Sequence, residues 1–358
     1  MRVGIIGAGQ LGQMLGFAAR DLDVECVFLD PSPAPPASAC GEVFQKSFDD
    51  IDALRELAAN CDVITYEFEN VPVEALQRLQ ESTPIYPPVD ALRQAQDRLL
   101  EKQLFEALAI PLPDYHAIDS YDDCRAAADK LGLPMVIKTR RLGYDGKGQF
   151  VVRAPDELEA AWQSLGPQAL IAEQWVKFDM EVSAIGVRDP EGNIRTYDLT
   201  RNVHRDGILR TSRAPLDAGG LQQTAATYMR NLLQHLDYVG VLALELFVCG
   251  DQLLANEFAP RVHNSGHWTI EGAATSQFEN HIRAVTGLPL GDTRCLGHAG
   301  MVNLIGEIPE RVRSLASGHL HDYGKTPRPG RKLGHISVVH ETPAGRDALL
   351  REIDDIVT

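Results

Sequence analysis

Cysteine is scarce in this 358-residue chain and carries no pattern: Cys26, Cys40, Cys61, Cys124, Cys249 and Cys295 form no CxxC pair and no metal-like spacing. A disulfide framework and a zinc site are therefore not expected, and the thiols read as reduced, mostly buried residues of a cytoplasmic protein. Long apolar runs are missing as well. No window approaches about 18 consecutive apolar residues, and Arg2 leads straight into "VGIIGAGQ" without an apolar leader, so neither a membrane span nor export is expected. Positive charge is in deficit. With 34 Lys and Arg against 50 Asp and Glu, the formal charge is −16, which argues against a nonspecific nucleic-acid or membrane binder. A local basic pocket for a phosphate is compatible with that balance. At 44% apolar and 23% charged residues the composition is that of an ordinary globular chain, long enough for two or three domains.

What is present begins with "RVGIIGAGQLGQMLGFAARDLDVECVFLD". An apolar run, Val3 to Ile6, meets Gly7-x-Gly9-x-x-Gly12, then helix-spaced Leu11, Met14, Leu15 and Ala18, then a second apolar strand ending at Asp30. This is a βαβ start whose glycine turn can approach an anion, with Asp30 where a ribose-binding acid sits in a dinucleotide fold. The same turn can simply close strand against helix, so the motif alone leaves NAD binding open. "CDVITYEFENVP" is a further strand ending in Glu67 and Glu69, and residues 1–95 read as one small doubly wound unit.

The pattern then changes. "LGLPMVIKTRRLGYDGKGQFVVR" is strand, loop, strand, with Lys138 ending an apolar run and Gly143-Tyr144-Asp145-Gly146-Lys147-Gly148 lying between strands. It is therefore not a Walker loop but a flap whose amides can cover phosphates, with Lys138 supplying a point charge. A glycine hairpin with a solvated lysine is the plainer alternative. "LIAEQWV" is a strand ending in a polar hinge, and Met180 to Val187 with Ile194 to Leu199 form a hairpin. His204 in "TRNVHRDGI" carries little weight alone, because a lone histidine is more often structural.

"YVGVLALELFVCGDQLLANEFAPR" holds two strand-like runs flanking "CGD". A turn centred on Asp251 sets Glu245 opposite Glu257. Directly opposed carboxylates, with Cβ atoms about 4.5 to 5.5 Å apart, repel each other unless a divalent cation sits between them. One residue of register slip would instead turn one of them to solvent. Beyond the hairpin, "ANEFAPRVHNSGHW" crowds a carboxylate, an arginine, two histidines, two asparagines and a serine into fourteen aperiodic positions, which suggests a site rather than a connector.

Lysine on a strand, glycine flap, polar hinge and paired-glutamate hairpin together resemble the ATP-grasp superfamily. Within it, "GAGQLGQM", "TYEFENVP", "QDRLLEKQLF", "GYDGKGQ", "NVHRDGILRTS", "NEFAPRVHNSGHWT" and "RPGRKLGH" resemble the N5-carboxyaminoimidazole ribonucleotide synthetase family. The matching segments run from residue 7 to residue 335, and the last two are the specific ones. The resemblance implies an α/β chain, α+β in its nucleotide domain. A Rossmann-like pre-ATP-grasp domain would span 1–95, an ATP-grasp domain 96–295 with a lid at about 115–180, and a small β-rich unit 296–358. It also implies ATP-dependent carboxylation of aminoimidazole ribonucleotide by bicarbonate through carboxyphosphate, with Mg²⁺, or Mn²⁺ in its place, and no NAD, zinc or biotin.

By the same resemblance, Arg98 and Lys138 neutralise the ATP phosphates under a flap of Gly143, Tyr144, Asp145, Gly146, Lys147, Gly148 and Gln149. Glu173, Gln174, Trp175 and Val176 hold the adenine, Glu181 the ribose, and His204 and Asn256 join the nucleotide site. Glu245 and Glu257 carry the metal. Arg261 holds bicarbonate or carboxyphosphate, its planar guanidinium matching the carboxylate oxygens. Tyr144, Asp145, Lys147, His263, Asn264, Ser265, Arg331 and Lys332 take the ribonucleotide, with Gln10, Leu11 and Glu67 at its far side. Asp145 orients or deprotonates the attacking amine, and His263 contacts ligand while His267 supports the loop. A homodimer with small-molecule substrates and no nucleic-acid or membrane partner is expected. Two other readings stand beside this one: a related ATP-grasp ligase such as formate-dependent glycinamide ribonucleotide transformylase, and a non-catalytic NAD-binding module.

Overall fold

The computed structural model describes residues 1–143 and 148–357. The flap residues Tyr144, Asp145, Gly146 and Lys147 lie outside the described residues. Three sheets organise the described residues. The first is parallel, in the order β3-β2-β1-β4, and comprises β1 (Arg2–Ile6), β2 (Glu25–Leu29), β3 (Glu42–Phe44) and β4 (Val63–Tyr66). Its strands are apolar on both faces because helices cover both, as a doubly wound unit requires. A small antiparallel sheet, β5-β8-β6-β7, follows from β5 (Tyr115–Ile118), β6 (Met135–Thr139), β7 (Gln149–Val152) and β8 (Leu170–Gln174).

The central sheet collects the rest: β9 (Met180–Arg188), β10 (Ile194–Thr196), β11 (Thr200–Arg205), β12 (Ile208–Ala214), β13 (Gly240–Cys249), β14 (Gln252–Ala259), β15 (His298–Ile305), β16 (His319–Asp322) and β17 (Lys332–His340). Its order is β14-β13-β9-β11-β12-β15-β17-β16, with β10 pairing β9. The C-terminal strands thus extend this sheet rather than forming one of their own. The edge of β12 offers unpaired backbone groups, and β15 takes them up from Ala299 to Val302.

Alternation along β9, β11 and β13 divides the sheet into two faces. Ile185, Val187, Val241 and Ala243 pack inward with Phe278, Ile282 and Val285 of the helix Gln277–Thr286. Glu181, Ser183 and Glu245 share that inward parity, because Glu245 pairs with Ser183. Val182, Ala184, Leu242 and Leu244 pack outward with Met229, Leu232 and Leu233 of the helix Gly220–His235. A second outer helix, Pro343–Val357, sets Leu350 and Ile353 on Val302, Leu304, Ile336 and Val338. No helix among the described residues is long and apolar enough to cross a membrane.

Candidate active site

The strands that end on the inner face deliver the polar residues, and the hairpin β13–β14 shows how the sequence places them. Its turn is the two-residue Gly250-Asp251, with Gly250 at φ +63, so Cys249 faces Gln252. Continued unbroken, that register would set Glu245 against Asn256. A bulge absorbs Asn256, after which Glu245 does face Glu257, Leu244 faces Phe258 and Ala243 faces Ala259. The expected pairing is present, but an inserted residue produces it rather than a turn centred on Asp251. Lys102 clamps the bulge, its ammonium donating to the Asn256 carbonyl.

Lys102 belongs to the helix Arg98–Ala107, which Asp97 caps by accepting the Leu99 N–H at 3.0 Å. Spacings of three and four residues bring Arg98, Glu101 and Lys102 to one side of that helix, against β14. Arg98 donates to Glu257 at 2.8 Å, and Glu101 accepts the Phe258 N–H at 2.7 Å. Burial pushes Glu101 up to about 8.

The facing carboxylates are electrostatically unlike. Burial, and then the charge of Glu257 opposite, push Glu245 up to about 7. Burial alone would raise Glu257 too, but Arg98 overcomes it and holds that carboxyl at about 2. His263 lies 3.3 Å from Glu245 through Nε2. The Ser265 N–H, which can only donate, points at His263 Nδ1 from 3.3 Å, so the imidazole proton belongs on Nε2, facing Glu245. Burial, followed by Arg261 and Lys332, drives His263 down to about 3 and keeps the ring neutral. Among the described residues no group of three or more His, Cys, Asp and Glu side chains is arranged for a metal. Two opposed carboxylates alone suit a hard divalent cation that takes its remaining ligands from water and phosphate.

These groups open into a cleft of about 680 Å³ between the first unit and the central sheet. Gly9, Gln10, Glu67, Arg98, Gly143, Glu245, Glu257, Arg261, His263, Asn264 and Lys332 all line it. Arg261 pairs with Glu69 at 3.0 Å, and Asn264 exchanges two amide hydrogen bonds with Asn303, at 3.1 and 2.7 Å. Gln10 accepts from Lys325. The glycine turn of the first unit is already satisfied from within: Glu67 accepts the Gly9 N–H at 2.6 Å and Asp30 accepts the Ala8 N–H at 2.9 Å. A Cβ on Gly7 would stand 2.8 Å from the Glu67 side chain, so the carboxylate fills the space a pyrophosphate needs.

A second group lies on the side of the small sheet. Lys138 donates to Glu173 at 2.8 Å, and Lys102 approaches the same oxygen at 3.7 Å. Despite burial, Lys102 and then Lys138 hold Glu173 at about 2, while burial lowers Lys138 from its usual value. Glu173 Oε1 is left buried without a hydrogen-bond partner. Gln174 and Trp175 are exposed and Val176 half-buried beside them. Glu181 and His204 meet at 2.8 Å across β9 and β11. Burial would lower His204, but the Glu181 carboxylate prevails and raises it. Gly148 and Gln149 lead into β7, where Gln149 pairs with Lys138.

Leu11 lines the same cleft with a side chain only 7% exposed. Two candidates sit differently from expectation. Ser265 is buried, with its hydroxyl 2.8 Å from His263 Nδ1, so it orients the imidazole rather than meeting solvent or a phosphate. Arg331 does not line the cleft and donates to the Thr326 carbonyl at 3.0 Å. His267 is fully buried, between Phe278 and His335. Lys102, Glu101 and Lys325 are not among the residues the sequence singles out, and Glu69 stands out there only as a strand-end acid. For the first two, the shared helical face with Arg98 was an available signal; for the contacts of Glu69 and Lys325, whose partners are remote in sequence, there was none.

Comparison with known proteins gives a consistent result. Residues 1–96 match the ribonucleotide synthetase preATP-grasp domain, residues 103–278 the ATP-grasp domain, and residues 299–348 the phosphoribosylaminoimidazole carboxylase C-terminal domain. The N5-carboxyaminoimidazole ribonucleotide synthase of Pseudomonas aeruginosa is 46% identical, over 100% of this chain and 99% of its own. The solved N5-carboxyaminoimidazole ribonucleotide synthetase of Thermus thermophilus aligns with a TM-score of 0.95 at 48% identity, covering 99% of this chain and 98% of that one. The N5-carboxyaminoimidazole synthase of Aspergillus clavatus, solved with ADP and 5-aminoimidazole ribonucleotide, aligns with a TM-score of 0.92 at 31% identity, covering 99% and 98%.

Proposed function

This chain belongs to the N5-carboxyaminoimidazole ribonucleotide synthase family, and from that premise we propose how its residues divide the work. It is an ADP-forming ATP-grasp ligase that carboxylates aminoimidazole ribonucleotide to the N5-carboxylated ribonucleotide in purine biosynthesis. The nucleotide enters on the side of Lys138 and Glu173, with Arg98 and Lys138 neutralising its phosphates. Gln174 and Trp175, exposed at the end of β8 beside this lysine and glutamate, are open to a planar base, and this supports the adenine assignment to residues 173–176. Glu181, already held by His204, takes the ribose hydroxyls.

Glu245 and Glu257 would hold Mg²⁺, which when bound supplies positive charge against both carboxylates and the transferring phosphoryl group. Arg98 keeps Glu257 ionised at all working pH, and the Nε2–H of neutral His263 gives Glu245 a donor as it loses its proton. Bicarbonate is a poor electrophile, and phosphorylation converts it to carboxyphosphate, which must be kept from water until the amine arrives. Arg261, fixed by Glu69, holds that species, and Asn264, fixed by Asn303, faces it from the same loop. Lys332 and the first unit's Gln10 and Glu67 close the ribonucleotide side. The working form we propose is a cytoplasmic homodimer, in keeping with six free thiols.

The observation that carries this reading is the opposed Glu245 and Glu257 in one cleft with Arg261. Its test is ADP release together with transfer of ¹⁸O from labelled bicarbonate to inorganic phosphate. Both should require the ribonucleotide for full rate, and formate should not replace bicarbonate. Release indifferent to the ribonucleotide, or phosphate free of label, would refute the scheme, and sedimentation of the native chain tests the dimer.

A further inference from the structure

Two helices cover the outer face of the central sheet. Gly220–His235 lies over β9 and β13, and Pro343–Val357 lies over β15 and β17. Between them, among the described residues, the face over β11 and β12 has no helix on it, and there the chain concentrates arginine. A cavity of about 180 Å³ is lined by Arg205, Arg210 and Arg213 above Val203 and Val302. It adjoins a recess of about 370 Å³ that shares Val203 and Arg213 and adds Arg201, Arg346 and Arg351.

The carboxylates at hand are fewer. Asp347 is divided between Arg213, at 3.3 Å, and Arg346, at 3.0 Å. Glu307 and Asp354 line the smaller cavity beside the arginines. Among the described residues lining the two, three carboxylates therefore stand against six guanidiniums, in a chain whose overall charge is −16. Arg201 stands directly opposite Arg213 in the ladder, an arrangement of like charges that destabilises a bare sheet.

Arg210 adds an independent observation. It is the extra residue of a bulge, skipped between the pairs Val203 with Thr211 and His204 with Leu209. Its Nε is out of solvent contact and has no hydrogen-bond partner. Buried guanidinium nitrogens are ordinarily satisfied, so the group is short of an acceptor.

We propose that this gap is a second ligand site that takes a small phosphate-bearing anion, either inorganic phosphate or a phosphomonoester. Planar guanidiniums bind tetrahedral oxyanions through paired N–H donors, and such an anion would supply the balancing charge. The smaller cavity has room for a phosphate group and is too small for a helix or strand of another protein. The site is separate from the catalytic cleft: Arg201, Val203 and Arg213 share the outer face with Val182, whereas Asn202 pairs with Glu181 on the inner one.

Isothermal titration of the full chain tests this, with the cleft first filled by the magnesium complex of a non-hydrolysable ATP analogue and by a single equivalent per chain of aminoimidazole ribonucleotide, so that no excess phosphomonoester occupies the second site. Inorganic phosphate in one arm and ribose 5-phosphate in the other identify which source is preferred. One saturable equivalent per chain is expected, weakened about tenfold or more by Arg205→Gln and again by Arg210→Gln, with Arg55→Gln on a distant helix as the control for lost charge. If the double variant does not fold, Arg210→Lys keeps the charge, removes the fork and should still weaken binding. No saturable heat at millimolar phosphate in the native chain would overturn the proposal, as would unchanged affinity in the folded variants. So would a change in sedimentation on substitution without a change in phosphate affinity, which would assign the face to a subunit contact.

Discussion

Replacing Glu245 by glutamine should stabilise the ligand-free protein while abolishing turnover. In the fold, burial and the facing Glu257 lift Glu245 from 4.5 to about 7. A tenfold change in proton affinity is worth about 1.4 kcal/mol, so holding this carboxylate ionised above its folded value costs the native state about 3 kcal/mol. Its side chain is only 16% exposed, so solvent screens little of that. The sign follows from proton counting. Between the unfolded and folded values the native state holds more protons than the unfolded chain, so stability falls as pH rises across that window. The contribution is fully present below the ordinary carboxylate value and gone above about 7. Glutamine removes the titration yet keeps an acceptor for His263 Nε2–H. Urea denaturation in the presence of a chelator, at about pH 5 and about pH 8, should show parent and variant diverging at the higher pH, with the variant ahead by about 1–3 kcal/mol. Added Mg²⁺ should stabilise the parent at that pH and do less for the variant. Parallel pH dependences, or a variant less stable at about pH 8, would refute the electrostatic account of the pair.

Lys102→Met removes the donor to the Asn256 carbonyl and one cation beside Glu173. Breaking this buried arrangement should cost about 3–5 kcal/mol by urea midpoint and raise the KM for ATP, and a variant as stable as the parent would remove the clamp on the bulge. Arg261→Ala should slow carboxylation by about a hundredfold while changing the Kd for ATP little, and equal loss of both would take Arg261 away from the carboxyl group. Glu67→Ala leaves the Gly9 N–H without its acceptor. The expected result is about 1–3 kcal/mol of lost stability and a raised KM for the ribonucleotide, with that for ATP unaltered, as read by steady-state ADP release.

Much of the molecule was legible in one dimension because its signals are local. Apolar runs of strand length and the glycine turn after Ile6 specify the βαβ start, and the alternation around "CGD" specifies the hairpin that carries both glutamates. "NEFAPRVHNSGHWT" announces a site by packing polar groups into a segment without periodicity. Residue order also carried the likeness to the ATP-grasp ligases, since spacing along the chain is what such motifs record.

Tertiary structure decided whatever depended on partners remote in sequence. The glycine turn that reads as a dinucleotide site is closed by Glu67, which lies 58 residues from Gly9. Glu245 faces Glu257 because a bulge at Asn256 corrects the register, and the lysine that holds the bulge comes from a helix 154 residues earlier. Ser265, expected among the ribonucleotide ligands, is turned inward against His263, and its N–H fixes the tautomer of that ring. Hydrophobic periodicity reports which face of a strand is buried, whereas the pKa of a buried carboxylate and the filling of a turn are set by charges and donors that only folding brings within a few ångströms.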